Sequence, residues 1–304
     1  MNIVHYTDIN NAIRGDVDGF IRGCCESYDE KCRSVAEHIS ERADKHPIIL
    51  LAGPSGSGKT TTAMKIEGYL DKMGFETHTI SMDDYFLPKD RIQIFDENNR
   101  IDYESPYRID IELLQQQMHM IANCEPVEIP GFDFKTQERI KGRTLERKKG
   151  ELVLFEGIHA LNPEVTGFED IASCIYVSVR TRIQISDGQL IHPEFIRVMR
   201  RIIRDKNFRG RTAAETLEMY DSVQRGENLY ILPFKHRAHY HIDTFHGFEA
   251  SVYKGYIEEE LDDLKAEYPD YERFKAIELL TKELDCIEPQ LVPEDALMRE
   301  FIGG

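Results

Sequence analysis

The sequence predicts an α/β fold, a mostly parallel sheet with helices on both faces. Two observations carry that expectation. The apolar run Ile48, Ile49, Leu50, Leu51, Ala52 passes straight into Gly53, Pro54, Ser55, Gly56, Ser57, Gly58, Lys59 and Thr60, a GxxxxGKT string of the kind that joins a buried strand to a helix. Further short apolar runs then alternate with stretches of helical spacing, as a parallel sheet with crossover helices requires. Glycines let successive backbone N–H groups turn inward without Cβ clashes, and the helix that follows offers its positive end to phosphate. A glycine turn capping an ordinary strand is the simpler alternative.

Each element follows in order. Residues 19–45 read as helix, with Ile21, Val35 and Ile39 on an apolar face expected to pack on the core. After the loop, Ala63, Ile66, Leu70 and Met73 recur at helical spacing and Gly74 stands as a C-terminal cap. Residues 75–81 give a second strand, 109–121 a helix, and 127–145 a β-rich stretch whose interior reads as a hairpin. Strands return at 152–155 and 174–179, and the last third is helical over 248–264 and 271–286. The acidic cluster Glu258, Glu259, Glu260, Asp262 and Asp263 reads as a solvated helix face. The expected organisation is an N-terminal helical extension (1–46), an α/β domain (47–247) and a C-terminal helical extension (248–304) packed on it.

Composition narrows the function. With 304 residues, 41% of them hydrophobic, the chain can bury one large core. Acidic residues outnumber basic ones 55 to 38, so a nucleic-acid partner or an anionic membrane would have to be met by a local basic patch. A small-molecule acceptor, with no nucleic acid and no membrane, is the expected partner. No apolar stretch reaches membrane-spanning length, and residues 1–14 lack the apolar core of a signal peptide, so a cytoplasmic location is expected. Six scattered cysteines without a CxxC pair read as reduced thiols.

The chemistry is expected at the carboxyl ends of strands. Lys59 is placed to reach the outer phosphates of a nucleoside triphosphate and Thr60 to put its hydroxyl on Mg²⁺. Glu156 ends the strand 152–155 and suits a carboxylate that orients water on Mg²⁺; Asp83, after the second strand, suits an acceptor of the substrate hydroxyl's proton. Either acid alone could equally form a turn. Between residues 194 and 211, seven basic residues stand against two acids. Arg197, Arg201 and Arg204 share a helical face, and Arg209 and Arg211 flank Gly210. A mobile arginine segment closing over a triphosphate would neutralise charge that develops during transfer. A solvated basic helix or an RNA-binding patch is the alternative, without interleaved aromatics to support the RNA version.

These residues resemble the uridine kinase and phosphoribulokinase family of P-loop kinases. The matching phrases run in order: GPSGSGKTT, SMDDYF around Asp83, DYESPYRID over 102–110, PGFDFKTQER over 130–139, VLFEGIHAL over 153–161 and RRIIRDKNFRGR over 200–211. The phrases IPGFDFKTQER, FEGIHALNP and the terminal LMREFIGG look closest to bacterial uridine kinase-like proteins. As only about 46 residues precede the first strand, their N-terminal tRNA-synthetase-like segment is expected to be absent.

The resemblance implies a five-stranded parallel sheet, a β-hairpin over the nucleoside and an arginine lid. It implies ATP and Mg²⁺ as cofactors, with ATP on residues 53–60 and Thr61. Asp83 would be the base toward a nucleoside 5′-hydroxyl, and Lys59, Arg204 and Arg209 would hold the transferring phosphoryl group. Arg201 and Arg211 would face the nucleoside, with Arg139 on the hairpin. Tyr103 and Glu104 fall where the family has an aromatic residue and a ribose-binding aspartate. Phe132 and Gln137 stand where uridine kinases use tyrosine and histidine, and Met219 where they use glutamine. The expected activity is phosphorylation of uridine or cytidine. A phosphoribulokinase-like kinase for another polyol or sugar phosphate, and an ATP-binding regulatory protein, are the alternatives. A homo-oligomer is left open.

Overall fold

The computed structural model describes residues 2–167, 171–268 and 274–304. The chain opens with a short strand β1 (Ile3–His5) and a long helix α1 (Tyr6–Ser40). This helix begins well before residue 19. His5 caps it by accepting the Thr7 N–H, and the helix then breaks at Asp16 (φ −154°, ψ 88°), whose carboxylate accepts the Gly19 N–H and starts the helix again. The apolar spacing in the sequence registers only that second start. Helix α1 lies on α2 (Lys59–Lys72), where Tyr28 and Thr62 share a buried hydroxyl hydrogen bond of 2.7 Å. Ala63, Ile66 and Leu70 of α2 are buried, whereas Met73, at its C-cap, is 38% exposed and Gly74 leaves the helix at φ +93°.

The central sheet has five parallel strands. Its members are β2 (Ile48–Ala52), β3 (Thr77–Ser81), β6 (Leu152–Glu156), β7 (Ala172–Ser178) and β10 (Tyr240–Asp243), in the order β10-β7-β2-β6-β3. The middle strand, β2, sets Ile48 opposite Val153 and Ala172, and all five of its residues are buried. Side chains alternate across it, so Ile49 and Leu51 join one apolar cluster and Ile48 and Leu50 the other. The first cluster also takes Ile9, Ile39, Leu280 and Ile302, which puts both terminal helical regions into the same core as the sheet. Each such fully buried aliphatic side chain contributes roughly 1.5–3 kcal/mol.

Further elements complete the fold around this sheet. Helix α3 (Ile111–Ala122) backs a separate hairpin of β4 (Val127–Asp133) and β5 (Glu138–Leu145). After the short turn α4 (Pro163–Thr166), β1 pairs in parallel with β8 (Arg182–Gln184), which pairs antiparallel with β9 (Leu190–Ile191). Strand β1, with three residues, carries no readable alternation in sequence. Helix α5 (Pro193–Arg209) starts on a His192 cap with proline at its first position and ends at Gly210 (φ +63°). Helix α6 (Ala213–Gly226) starts on a capping box of Thr212 and Glu215. Helices α7 (Glu249–Glu267), α8 (Lys275–Glu283) and α9 (Arg299–Ile302) close the chain. The helix expected over 271–286 is seen from Lys275; residues 271–273 lie outside the described residues. No helix among the described residues is long and apolar enough to cross a membrane.

One buried cation joins several of these elements. Arg200 of α5 is fully buried and donates to Glu249 at 2.8 Å, to the Gly56 carbonyl at 3.0 Å, and to the carbonyl and hydroxyl of Thr244 at 2.8 and 3.2 Å. Replacing it strands a buried carboxylate and two carbonyls. Arg200→Met is therefore expected to destabilise the fold by about 3–5 kcal/mol, read as a lowered urea midpoint. Adding Glu249→Leu should recover part of that loss, because it removes the unpaired charge.

Candidate active site

The loop between β2 and α2 is held from both sides. A Cβ on Gly53 would lie 2.2 Å from the Val177 carbonyl oxygen, so only glycine lets the loop approach β7 this closely. Gly56 and Gly58 stand at φ +72° and +81°, turning the chain into α2. From the other side, α5 donates to the loop three times: Arg197 to the Ser55 carbonyl at 3.4 Å, Arg200 to Gly56, and Arg201 to the Ser55 hydroxyl at 3.0 Å. Pro54 accepts from Ser57 N–H and from Lys59 Nζ, the latter at 3.3 Å. Ser57 Oγ is buried with no hydrogen-bond partner among the described residues. Thr60 is exposed at the start of α2, and Thr61 donates its hydroxyl to Glu300 at 2.7 Å.

Three acids gather around Lys59. Asp83 sits on the 3-10 turn Met82–Tyr85, directly after β3; its N–H and the Glu156 carboxylate both engage the Ser81 hydroxyl, at 3.4 and 3.0 Å. Burial pushes the Asp83 carboxyl above its ordinary range, while Lys59, Arg209 and Arg108 pull it down. Burial likewise raises Glu156, with Lys59 opposing. Burial pushes Glu104 up to about 7 against the pull of Arg201 and Lys59. Beside them His159, pushed down to about 4 by burial, stands neutral against the Glu104 and Tyr230 backbones.

The arginines divide into two groups. The sequence suggests one mobile basic segment, but Arg197, Arg200 and Arg201 are buried and tied down, Arg197 by a bidentate pair with Glu227 at 2.8 and 3.1 Å. Arg204, Arg209 and Arg211, together with Arg201, converge on the fully buried Asp205 at 3.5, 3.1, 3.6 and 3.6 Å. Asp205 was outside the residues singled out from sequence, although it is the only acid within the arginine run.

On the acceptor side, Asp102 fixes the segment that carries Tyr103 and Glu104. Its buried carboxylate accepts from Arg225 and the Tyr230 hydroxyl, each at 2.9 Å, and from the Glu104 N–H at 3.1 Å. Phe132 is buried and packs edge-on against Phe86 and Phe134, with centroids 5.6 and 5.3 Å away; Phe134 is exposed. Arg108, also unanticipated, lies over the rings of Tyr103 and Phe86 at 5.0 and 5.2 Å and reaches Gln137 Oε1 at 3.4 Å. Gln137 sits at the hairpin tip with φ +61°, and its amide donates to the Phe134 carbonyl. Arg139 is engaged elsewhere: its guanidinium donates to Tyr85 O, Phe86 O and Asp110, bracing the hairpin on the Asp83 turn. Met219 is half-buried on α6.

A parallel sheet with a glycine-rich phosphate loop, strand-end acids and a basic helix closing on that loop defines a P-loop kinase. The chain belongs to the Phosphoribulokinase / Uridine kinase family, whose sequence model matches residues 48–248. It is thereby a phosphotransferase with a hydroxyl acceptor. It is 33% identical over 193 residues to a uridine kinase of Macrococcus caseolyticus, a match covering 63% of this chain and 84% of that one. A uridine kinase of Geobacillus sp. is 30% identical over 197 residues, 64% of this chain and 84% of that one. Among solved structures, a putative fructose transport system kinase from Silicibacter sp. superposes with a TM-score of 0.49 at 17% identity, covering 69% of this chain and 98% of that one.

The raised Glu104 carboxyl has a measurable consequence. The unfolded chain releases this proton near the ordinary carboxylate range, whereas the folded chain keeps it until about pH 7. Folding stability is thus full below the ordinary value and falls as pH rises through that window, by on the order of 3 kcal/mol. Glu104→Gln removes this term. Its melting temperature should exceed that of the unaltered protein at pH 8 and converge with it near pH 4.5, as followed by thermal denaturation across pH.

Proposed function

We propose that this protein transfers the γ-phosphate of ATP to the 5′-hydroxyl of a nucleoside, uridine or cytidine. The observation that carries the reading is one short turn with two faces. Residues 82–86 hold Asp83 within electrostatic reach of Lys59 and Arg209, while Phe86 packs against Phe132 and Phe134. A hydroxyl acceptor and a flat aromatic base would both find their partners there. In this reading Asp83 takes the hydroxyl proton, and its raised pKa brings it closer to the working pH of a base. Lys59, Arg204 and Arg209 stabilise the transferring phosphoryl group, and residues 53–60 hold the triphosphate through backbone N–H groups. Thr61 contributes there through its backbone, since its hydroxyl is engaged by Glu300. Glu104 accepts from the ribose hydroxyls, beside Tyr103 and within electrostatic reach of Arg201; Arg211 is assigned to the nucleoside, and Phe132 and Gln137 shape the base side.

The hydroxyl of Thr60 and the carboxylate of Glu156 are hard-oxygen donors of the kind Mg²⁺ takes, and would hold it, Glu156 through water. An ion held there would neutralise phosphate charge. A second reading, a sugar-phosphate acceptor, is favoured by one feature: Arg108, near Asp83 and between two rings, offers a guanidinium that suits a second phosphate.

An acceptor screen by ADP release separates the two. Uridine or cytidine is expected to drive ADP formation above any sugar phosphate, and the reverse ranking would favour the second reading. Asp83→Asn should lower kcat by at least about a hundredfold while ATP still binds. Near-normal turnover in that variant would remove Asp83 from its role.

A further inference from the structure

The last eight residues, Leu297–Gly304, lie outside the transfer chemistry described above, yet they reach the phosphate loop. Leu297 is fully buried against it: a Cβ on Gly58 would lie 2.6 Å from Leu297 Cδ1. Phe301, also fully buried, lies under the Arg200 guanidinium at 5.3 Å, and Asn207 of α5 donates to the Phe301 carbonyl at 3.2 Å. The segment is closed on itself by Arg299, which donates to the carbonyls of Pro289, Val292, Pro293 and Gly303. It is a folded strap between the first turn of α2 and the arginine helix. From it Glu300 accepts the Thr61 hydroxyl at 2.7 Å and stands within electrostatic reach of Arg204 and Glu156.

We propose that Glu300 is a positioning residue for the nucleotide half of the site: by holding the Thr61 hydroxyl it fixes the first turn of α2, which carries Lys59 and Thr60. The segment's anchoring gives this contact its leverage. Leu297, Phe301 and Arg299 determine where the Glu300 backbone stands, so the carboxylate acts as a fixed post rather than a mobile surface group. The inference rests on the reading of residues 53–60 as the ATP site. It concerns ATP, because the contacts that anchor the strap run to the phosphate loop, α2 and α5.

The test measures Mg·ATP binding by calorimetry alongside steady-state KM values for ATP and for the nucleoside. Glu300→Ala is expected to weaken ATP binding and raise its KM about tenfold, the effect of one charge-assisted hydrogen bond, with the nucleoside KM unchanged. Glu300→Gln keeps an acceptor oxygen and should restore most of the affinity. Thr61→Val should match Glu300→Ala, and the double variant should be no worse than either, since both remove one contact. Melting temperatures check that each variant is folded, and Thr61→Val carries the test should Glu300→Ala fail to fold. Unchanged or tighter ATP binding in Glu300→Ala would overturn the inference, as would additive losses in the double variant. An unaltered protein that bound no ATP would overturn the donor reading as well, which sets that failure apart.

Discussion

The architecture of the site depends on the burial of Arg200. A guanidinium removed from water must have its donors met, and here they are met by three different parts of the chain: the phosphate loop at Gly56, the corner after β10 at Thr244 and helix α7 at Glu249, while the C-terminal ring of Phe301 lies against its face. The glycines permit the loop's shape, but they do not impose it. Gly53 lets the loop settle on the Val177 carbonyl, and Arg200, with Arg197 and Arg201, presses from the opposite side. Backbone N–H groups that are to meet phosphate must not reorganise when they do so. The loop is therefore braced by a buried cation.

Along and just beyond the same helix, the arginines divide between buried glutamates and a single aspartate. Arg197 and Arg200 each pair with a buried glutamate, while Arg201, Arg204, Arg209 and Arg211 share Asp205. Four cations around one carboxylate leave a local positive excess in a chain of net charge −17. Arg209 is within electrostatic reach of Asp83 and Arg201 of Glu104, so this excess meets the opposite sign at the acids around Lys59. A triphosphate entering between the two sets would meet an electrostatic gradient built from fixed groups rather than from mobile surface lysines.

Strand β2, its loop, α2, the hairpin and strands β6 and β7 were legible because each is a local pattern: an apolar run, a glycine spacing, an alternation. Asp83 and Glu156 were legible as acids following such runs. Other features depend on pairings far apart in the sequence. Strand β1 exists because β8 lies beside it, and Glu300 meets Thr61 across 239 residues. The roles of arginines were hidden for a different reason. Arg200 and Arg204 are the same residue type in the same run, and only burial and partners set the clamp on Glu249 apart from the arginine beside Asp205. Arg139 shows the converse, standing on the hairpin as the resemblance implied but spending its donors on Tyr85, Phe86 and Asp110.

The acceptor side is ordered by backbone approach more than by the side chains that would touch a substrate. A Cβ on Gly226 would lie 2.2 Å from Glu104 Cβ, so the end of α6 must be glycine for the 102–105 segment to sit where it does. Asp102 then locks that segment to Arg225, one residue earlier on α6, and to Tyr230 just beyond it. Glutamate in place of a shorter acid at position 104 is thus one part of a fitted unit. Its carboxylate is placed by how closely two backbones pass, and that distance is set by α6. Met219 lies on this helix, as do Gly226 and Arg225. A substitution that shifts α6 would move Glu104 and the surroundings of Met219 together. On the proposed reading of Glu104, selection of the acceptor would depend on the seating of this helix as well as on any single contact.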